Sequence, residues 1–187
     1  MKIICIGDSL TRGYPHEEEF SFPSLIAKNT NWETQNHGEN GQSSKEILNR
    51  VAAEGLYLKG DKATILCGAN DFIFGTGSVF ETLGNIMQMA KLCQEGGVEP
   101  YIVSSTLCNP KDALAFWLDT DGIDYDEVND NLIKLRELLK DAANDFGWKF
   151  IDLQEAYKEC SEFVDGLHPT KAGYEFISNI IIEGLKI

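Results

Sequence analysis

Short apolar runs alternate with longer amphipathic ones along this chain, and that alternation restricts its fold more than any other feature. Lys2–Ile6, Ala63–Cys67, Tyr101–Ser104 and Lys149–Asp152 read as strands, and Glu33–Asn36 as a weaker fifth. Short apolar runs of this kind, bounded by turn residues, suit strands covered on both faces. Between them the helical period appears. Ser43 with Glu46, and Ser78 with Glu81, have the spacing of a capping box at a helix start. Phe80, Leu83, Met87 and Ala90 make one apolar stripe, ended by Gly96-Gly97. Val128, Leu132, Leu135 and Leu139 make a second, and Ala172, Phe176, Ile180 and Ile181 point the last helix inward. Strands joined by crossover helices predict an α/β protein. The expected architecture is a three-layer α/β/α sandwich on a five-stranded parallel sheet, doubly wound in the flavodoxin-like order 2-1-3-4-5. At 187 residues the chain reads as one domain spanning 1–187, long enough to bury roughly 70% of its unfolded surface.

Composition removes several classes of function. With 43% hydrophobic and 25% charged residues, the chain is ordinary for a globular protein, which excludes disorder and low-complexity classes. No apolar run approaches the roughly 20 residues of a membrane-spanning helix. A net charge of −14 opposes phosphate neutralisation, so neither a nucleic-acid partner nor stable anchoring on an anionic membrane is expected. The five cysteines are odd in number and far apart, with no CxxC or Cys/His ligand spacing, which speaks against a zinc site, a redox pair or a disulfide framework. Lys2 is followed by only Ile3 to Ile6 before Gly7-Asp8, too short for a signal-peptide hydrophobic region. The expected compartment is a reducing cytoplasm.

In a doubly wound sheet all strands end at one edge, and ligands bind beyond it where strand order reverses. Gly7-Asp8-Ser9-Leu10-Thr11 follows the first strand, Asn36 to Ser43 the second, and Gly68-Ala69-Asn70-Asp71 the third. In the order 2-1-3-4-5 these are adjacent loops with Ser9 in the middle one. Asp165-Gly166-Leu167-His168-Pro169-Thr170 precedes the C-terminal helix and can drop onto the same edge.

Together these loops hold the parts of acyl transfer. A serine hydroxyl is a poor nucleophile until a base takes its proton, and His168 is the natural base because histidine titrates near neutrality. Asp165, within one turn of it, can accept the other ring N–H and fix the tautomer. The Ser9 and Gly41 amides and the Asn70 side-chain amide are candidate donors to the oxyanion. Each residue alone has a plainer reading. A serine after a strand is often a helix N-cap, Asn70-Asp71 and Gly41 read as turn residues, and a histidine before proline suits an exposed loop. His16, among Glu17–Glu19, and His37, in a polar loop, read as structural or solvated.

These segments, in this order, resemble the SGNH (GDSL) hydrolase family of esterases, lipases and thioesterases. Gly7-Asp8-Ser9-Leu10-Thr11-Arg12-Gly13-Tyr14 is similar to its first block, Asn36 to Gly41 to the second, Gly68-Ala69-Asn70-Asp71 to the third and Asp165 to Thr170 to the last. The resemblance implies Ser9 as nucleophile, His168 and Asp165 as its catalytic partners, and Gly41 and Asn70 as oxyanion donors. It also implies the three-layer sandwich, an ester or thioester substrate, no metal and no organic cofactor. Asp8 and Asp71 then order their loops.

Leu107–Asp126 is long for a strand-to-helix connection. It carries Phe116, Trp117 and Tyr125 with Asp112, Asp119, Asp121, Asp124 and Asp126. Phe116 and Trp117 are expected in the wall of a substrate pocket, with packing onto the core as the alternative. Phe72, in the run Phe72-Ile73-Phe74-Gly75, is a second candidate wall. The aspartates read as a solvated acidic loop, because Gly122 is misplaced for a calcium-binding loop. Two other functions compete with the hydrolase. One is a magnesium-dependent phosphohydrolase using Asp8, Asp71 and Asp152, which all follow strands; the other is a non-catalytic binding module on the same scaffold.

Overall fold

The computed structural model describes residues 1–56, 59–117 and 122–186. In chain order its elements are β1 (Lys2–Gly7), α1 (Ser9–Arg12), α2 (Phe22–Asn29), β2 (Glu33–Gly38), α3 (Ser44–Glu54), β3 (Lys62–Leu66), α4 (Ala69–Ile73) and α5 (Val79–Glu95). There follow β4 (Glu99–Val103), α6 (Pro110–Phe116), α7 (Tyr125–Phe146), β5 (Lys149–Ile151), α8 (Leu153–Tyr157) and α9 (Lys171–Leu185). The five strands form an all-parallel sheet in the order β2-β1-β3-β4-β5, as expected.

Side chains along β1 alternate between two cores, as the two-residue period of a strand demands. Ile4 and Ile6 join the buried side chains of α3, α5 and α7 on one face. Ile3 and Cys5 join those of α2, α8 and α9 on the other. Both faces are therefore covered, which is why the inner strands read as unbroken apolar runs. Strand β2 lies at the sheet edge with the polar sequence Glu-Thr-Gln-Asn-His-Gly. An edge strand needs no second apolar face, so its signal is weak, and it runs two residues past the expected Asn36. Strand β4 begins at Glu99, earlier than expected, with Pro100 near its start.

Both expected capping boxes form, Ser43 with Glu46 on α3 and Ser78 with Glu81 on α5. Two helical stripes are rotated from expectation. In α5 the buried face is Thr82, Ile86, Met89, Ala90 and Cys93, while Phe80 is exposed. In α9 it is Tyr174, Ile177, Ser178, Ile181, Ile182 and Leu185, while Ala172 is exposed and Phe176 and Ile180 are half-buried. A broad apolar sector admits more than one phase, and the packed face is set by the sheet beneath it. The stripe on α7 is buried as expected. All five cysteines are free thiols. No described helix is long and apolar enough to cross a membrane.

Candidate active site

Strand β1 delivers Ser9 directly to the sheet's carboxyl edge. Gly7 ends the strand, and Asp8 caps α1 by accepting the Leu10 amide at 3.0 Å. Ser9 is thus the first residue of the helix; the capping role falls to its neighbour. Burial pushes the Asp8 carboxyl up to about 7, and the charge of Asp71 adds to this. The Leu10 amide and His168 pull in the opposite direction. The second oxygen of Asp8 is buried without a hydrogen-bond partner.

The turn before α9 brings the opposite end of the chain to the same place. The Asp165 carboxylate accepts the amides of Leu167 at 2.9 Å and His168 at 2.7 Å through one oxygen. Its other oxygen accepts His168 Nδ1–H at 2.7 Å. A carboxylate only accepts, so Nδ1 carries a ring proton, and in the neutral ring Nε2 is left as an acceptor. Nε2 lies 3.0 Å from Ser9 Oγ. Burial works to raise the Asp165 carboxyl, but the His168 side chain and the two amides outweigh it and hold it below the usual carboxylate range.

The turn is seated by Gly166, whose carbonyl accepts the Asn109 amide at 2.7 Å. Gly166 has φ +82°, and a Cβ there would stand 2.3 Å from the backbone nitrogen of Ala113. Only glycine fits so close to α6 in that conformation.

Asn70 lies in α4, just past β3, and its Nδ2 donates to the Gln42 carbonyl at 2.9 Å. A primary amide has a second N–H. Gly41, one residue before Gln42, has φ +74° and open space where a Cβ would stand. Asp8, Ser9, Gly41, Asn70 and His168 all line one cavity of about 210 Å³. Its other walls include Leu10, Tyr14, Ile73, Phe74, Leu107 and Trp117. The Tyr14 and Trp117 rings meet the His168 imidazole edge-on, with centroids 4.6 and 6.3 Å away. A hydroxyl in line with an imidazole and a buried carboxylate can pass its proton to the ring as it attacks an electrophilic carbon.

The remaining candidates lie elsewhere. Phe72 packs against the core on the face of the sheet covered by α3, α5 and α7 and does not line the cavity; Ile73 and Phe74 do. Phe116 is exposed and touches Trp117 without reaching the cavity. Phe72 and Ile73 are successive residues of α4 and point about 100° apart, so Ile73 faces the cavity while Phe72 faces the core. Tyr125, at the start of α7, and Ser105 to Cys108, past β4, also line the cavity. The place of Ser105 to Cys108 directly after β4 is their signal in the sequence, and Tyr125 belongs to the aromatic Leu107–Asp126 connection. His16 Nε2 contacts the Pro169 carbonyl, and the His37 carbonyl accepts from Arg50. Burial first, and then Arg50 and Lys59, lower the His37 pKa.

Asp71 is taken up by Ser44, and Asp152 by Arg136 and the first turn of α8. Among the described residues no three His, Cys, Asp or Glu side chains converge to hold a metal ion. Asp119 and Asp121 lie outside the described residues.

No curated protein matches the sequence. Solved structures do. A lipolytic protein of the G-D-S-L family from Veillonella parvula DSM 2008 superposes with a TM-score of 0.81 at 23% identity, covering 98% of this chain and 97% of that one. A lipase/acylhydrolase from Enterococcus faecalis gives 0.81 at 22%, covering 99% and 95%. The aryl esterase of M. smegmatis gives 0.78 at 17%, covering 99% and 98%. At such identities the likeness is one of fold. The model of the GDSL-like lipase/acylhydrolase family matches residues 5–176. With nearly the whole sequence accounted for in this way, the chain belongs to the GDSL-like lipase/acylhydrolase family.

Proposed function

We propose that the protein is a serine hydrolase that cleaves a carboxylic ester or thioester through a covalent acyl-enzyme. One observation carries the reading: Ser9 Oγ, His168 and Asp165 stand in a hydrogen-bonded row, 3.0 and 2.7 Å apart, at the wall of a cavity. Ser9 Oγ attacks the carbonyl carbon while its proton passes to His168 Nε2. The Asp165 carboxylate stabilises the imidazolium that results. Negative charge gathers on the carbonyl oxygen, and the Ser9 and Gly41 amides and the Asn70 side chain donate to it. When the tetrahedral species collapses, the bond to the leaving oxygen or sulfur breaks and His168 returns the proton to it. Water, deprotonated by the same nitrogen, then attacks the acyl-enzyme; the acid leaves and Ser9 regains its proton.

Ser9→Ala tests this. It should reduce ester turnover by a factor on the order of 10⁶, since residues acting as a unit fail together. A fluorophosphonate should label Ser9 and nothing else. Full esterase activity in Ser9→Ala would end the reading.

A further inference from the structure

We propose that the cavity selects compact, uncharged, apolar esters, whose buried group is about the size of a benzene ring or a six-carbon chain, over polyanionic thioesters and acetylated sugars. The inference rests on the reading of the site as a hydrolase and names its substrate class.

Size comes first. A dry cavity of about 150 Å³ lined by apolar side chains accepts benzene. The cleft beside Ser9 holds about 210 Å³, enough to bury one ring or a short chain with its ester group, and a longer acyl chain would have to extend out of it.

The lining comes second. Outside the reacting cluster the walls are mainly apolar, with Ile73, Phe74, Leu107 and Trp117 among them. The Tyr14 and Trp117 rings both lie against His168 and line the cleft, so an apolar group packed on them lies near the reacting carbon. A sugar hydroxyl buried there without a partner would lose roughly 5- to 150-fold in binding.

Charge comes third. No Lys or Arg is among the described residues that line the cavity. A leaving group bearing several phosphates meets no cation among the described lining residues and faces a protein of net charge −14.

Turnover of ethyl alkanoates and of alkyl acetates, each from two to twelve carbons, should be compared by acid release with hexanoyl-coenzyme A and an acetylated glucoside. In one of the two series kcat/KM should climb about four-fold per methylene, peak near six carbons and then fall. The thioester and the glucoside should be slower by about 100-fold or more, the expectation for lost desolvated contacts. Trp117→Ala should move the peak to longer chains. Calorimetry of n-alkanols on Ser9→Ala separates the cavity from the chemistry: affinity should rise to about six carbons and level off. A rise continuing to twelve carbons, no rise at all, or thioester turnover equal to that of the best ester would overturn the proposal. Alkanol binding as expected with no ester cleaved by the wild type would instead defeat the hydrolase reading and leave the cavity's selectivity standing.

Discussion

The Asp71 carboxylate holds Ser44 twice, accepting its backbone amide at 2.8 Å and its hydroxyl at 2.6 Å. Asn85 donates to the same hydroxyl at 2.9 Å. The preceding residue, Asn70, donates to the Gln42 carbonyl. Two consecutive residues past β3 thereby fasten the loop past β2, and these hydrogen bonds set the spacing of Gly41 and Asn70. Donors held in place beforehand stabilise developing charge without reorganising.

Asp71→Ala is expected to leave the Ser44 amide and hydroxyl without their acceptor, at a cost of about 1–3 kcal/mol in stability. Because the loops it fastens carry two of the proposed oxyanion donors, kcat should fall by roughly 10- to 100-fold, short of the loss from deleting a donor outright, with KM little changed. Asp71→Asn keeps one accepting oxygen and should recover part of the rate. Steady-state kinetics beside thermal melts check this; a loss confined to KM would contradict it.

Asp165→Asn should lower kcat by about 10⁴, because an amide facing Nδ1 favours the wrong tautomer of His168. The Asp165 carboxyl is held below its ordinary range in the folded protein. Its contribution to stability is therefore present above the unfolded carboxyl pKa and lost as pH falls through the folded value. Denaturation midpoints of the variant and the wild type should accordingly converge in acid.

Asp8 works with the opposite sign. Its carboxyl rises from 3.8 to about 7, so the folded state holds its proton more tightly than the unfolded chain does. Stability from this group is full below the unfolded value and declines as pH rises toward 7. Asp8→Asn keeps an oxygen for the Leu10 amide and removes the buried charge. It should leave stability nearly unchanged at pH 4 and raise it at pH 8 by a few kcal/mol, from about 1.4 kcal/mol per pH unit. Equal denaturation midpoints at pH 8 would refute this.

Gly166→Ala introduces a Cβ 2.3 Å from the Ala113 nitrogen at a backbone φ of +82°. Neither the left-handed conformation nor the backbone of α6 can yield cheaply. Stability should drop by about 2 kcal/mol or more, and activity should fall as the Asp165–His168 turn moves away from Ser9. Urea denaturation and esterase assays on the same preparation read both.

Local order in the sequence carried a good deal of this protein. Apolar runs with intervening helical periods were enough for a covered parallel sheet, because runs this short, bounded by turn residues and alternating with amphipathic helices, suit strands buried on both faces. The Ser43–Glu46 and Ser78–Glu81 caps and the Asp165–His168 contact lie within single turns, so spacing alone specifies them. What the spacing of residues does not encode is the phase of a helix against its neighbours. That is why Phe80, Ala172, Phe72 and Phe116 point elsewhere than expected, while Trp117 faces the cavity. Tertiary structure alone decided the rest: the 3.0 Å contact of Ser9 with His168, residues separated by 159 positions, and the fastening of Ser44 by Asp71. Both depend on which strand ends become neighbours once both faces of the sheet are buried, a property of the whole packed chain and of no segment within it.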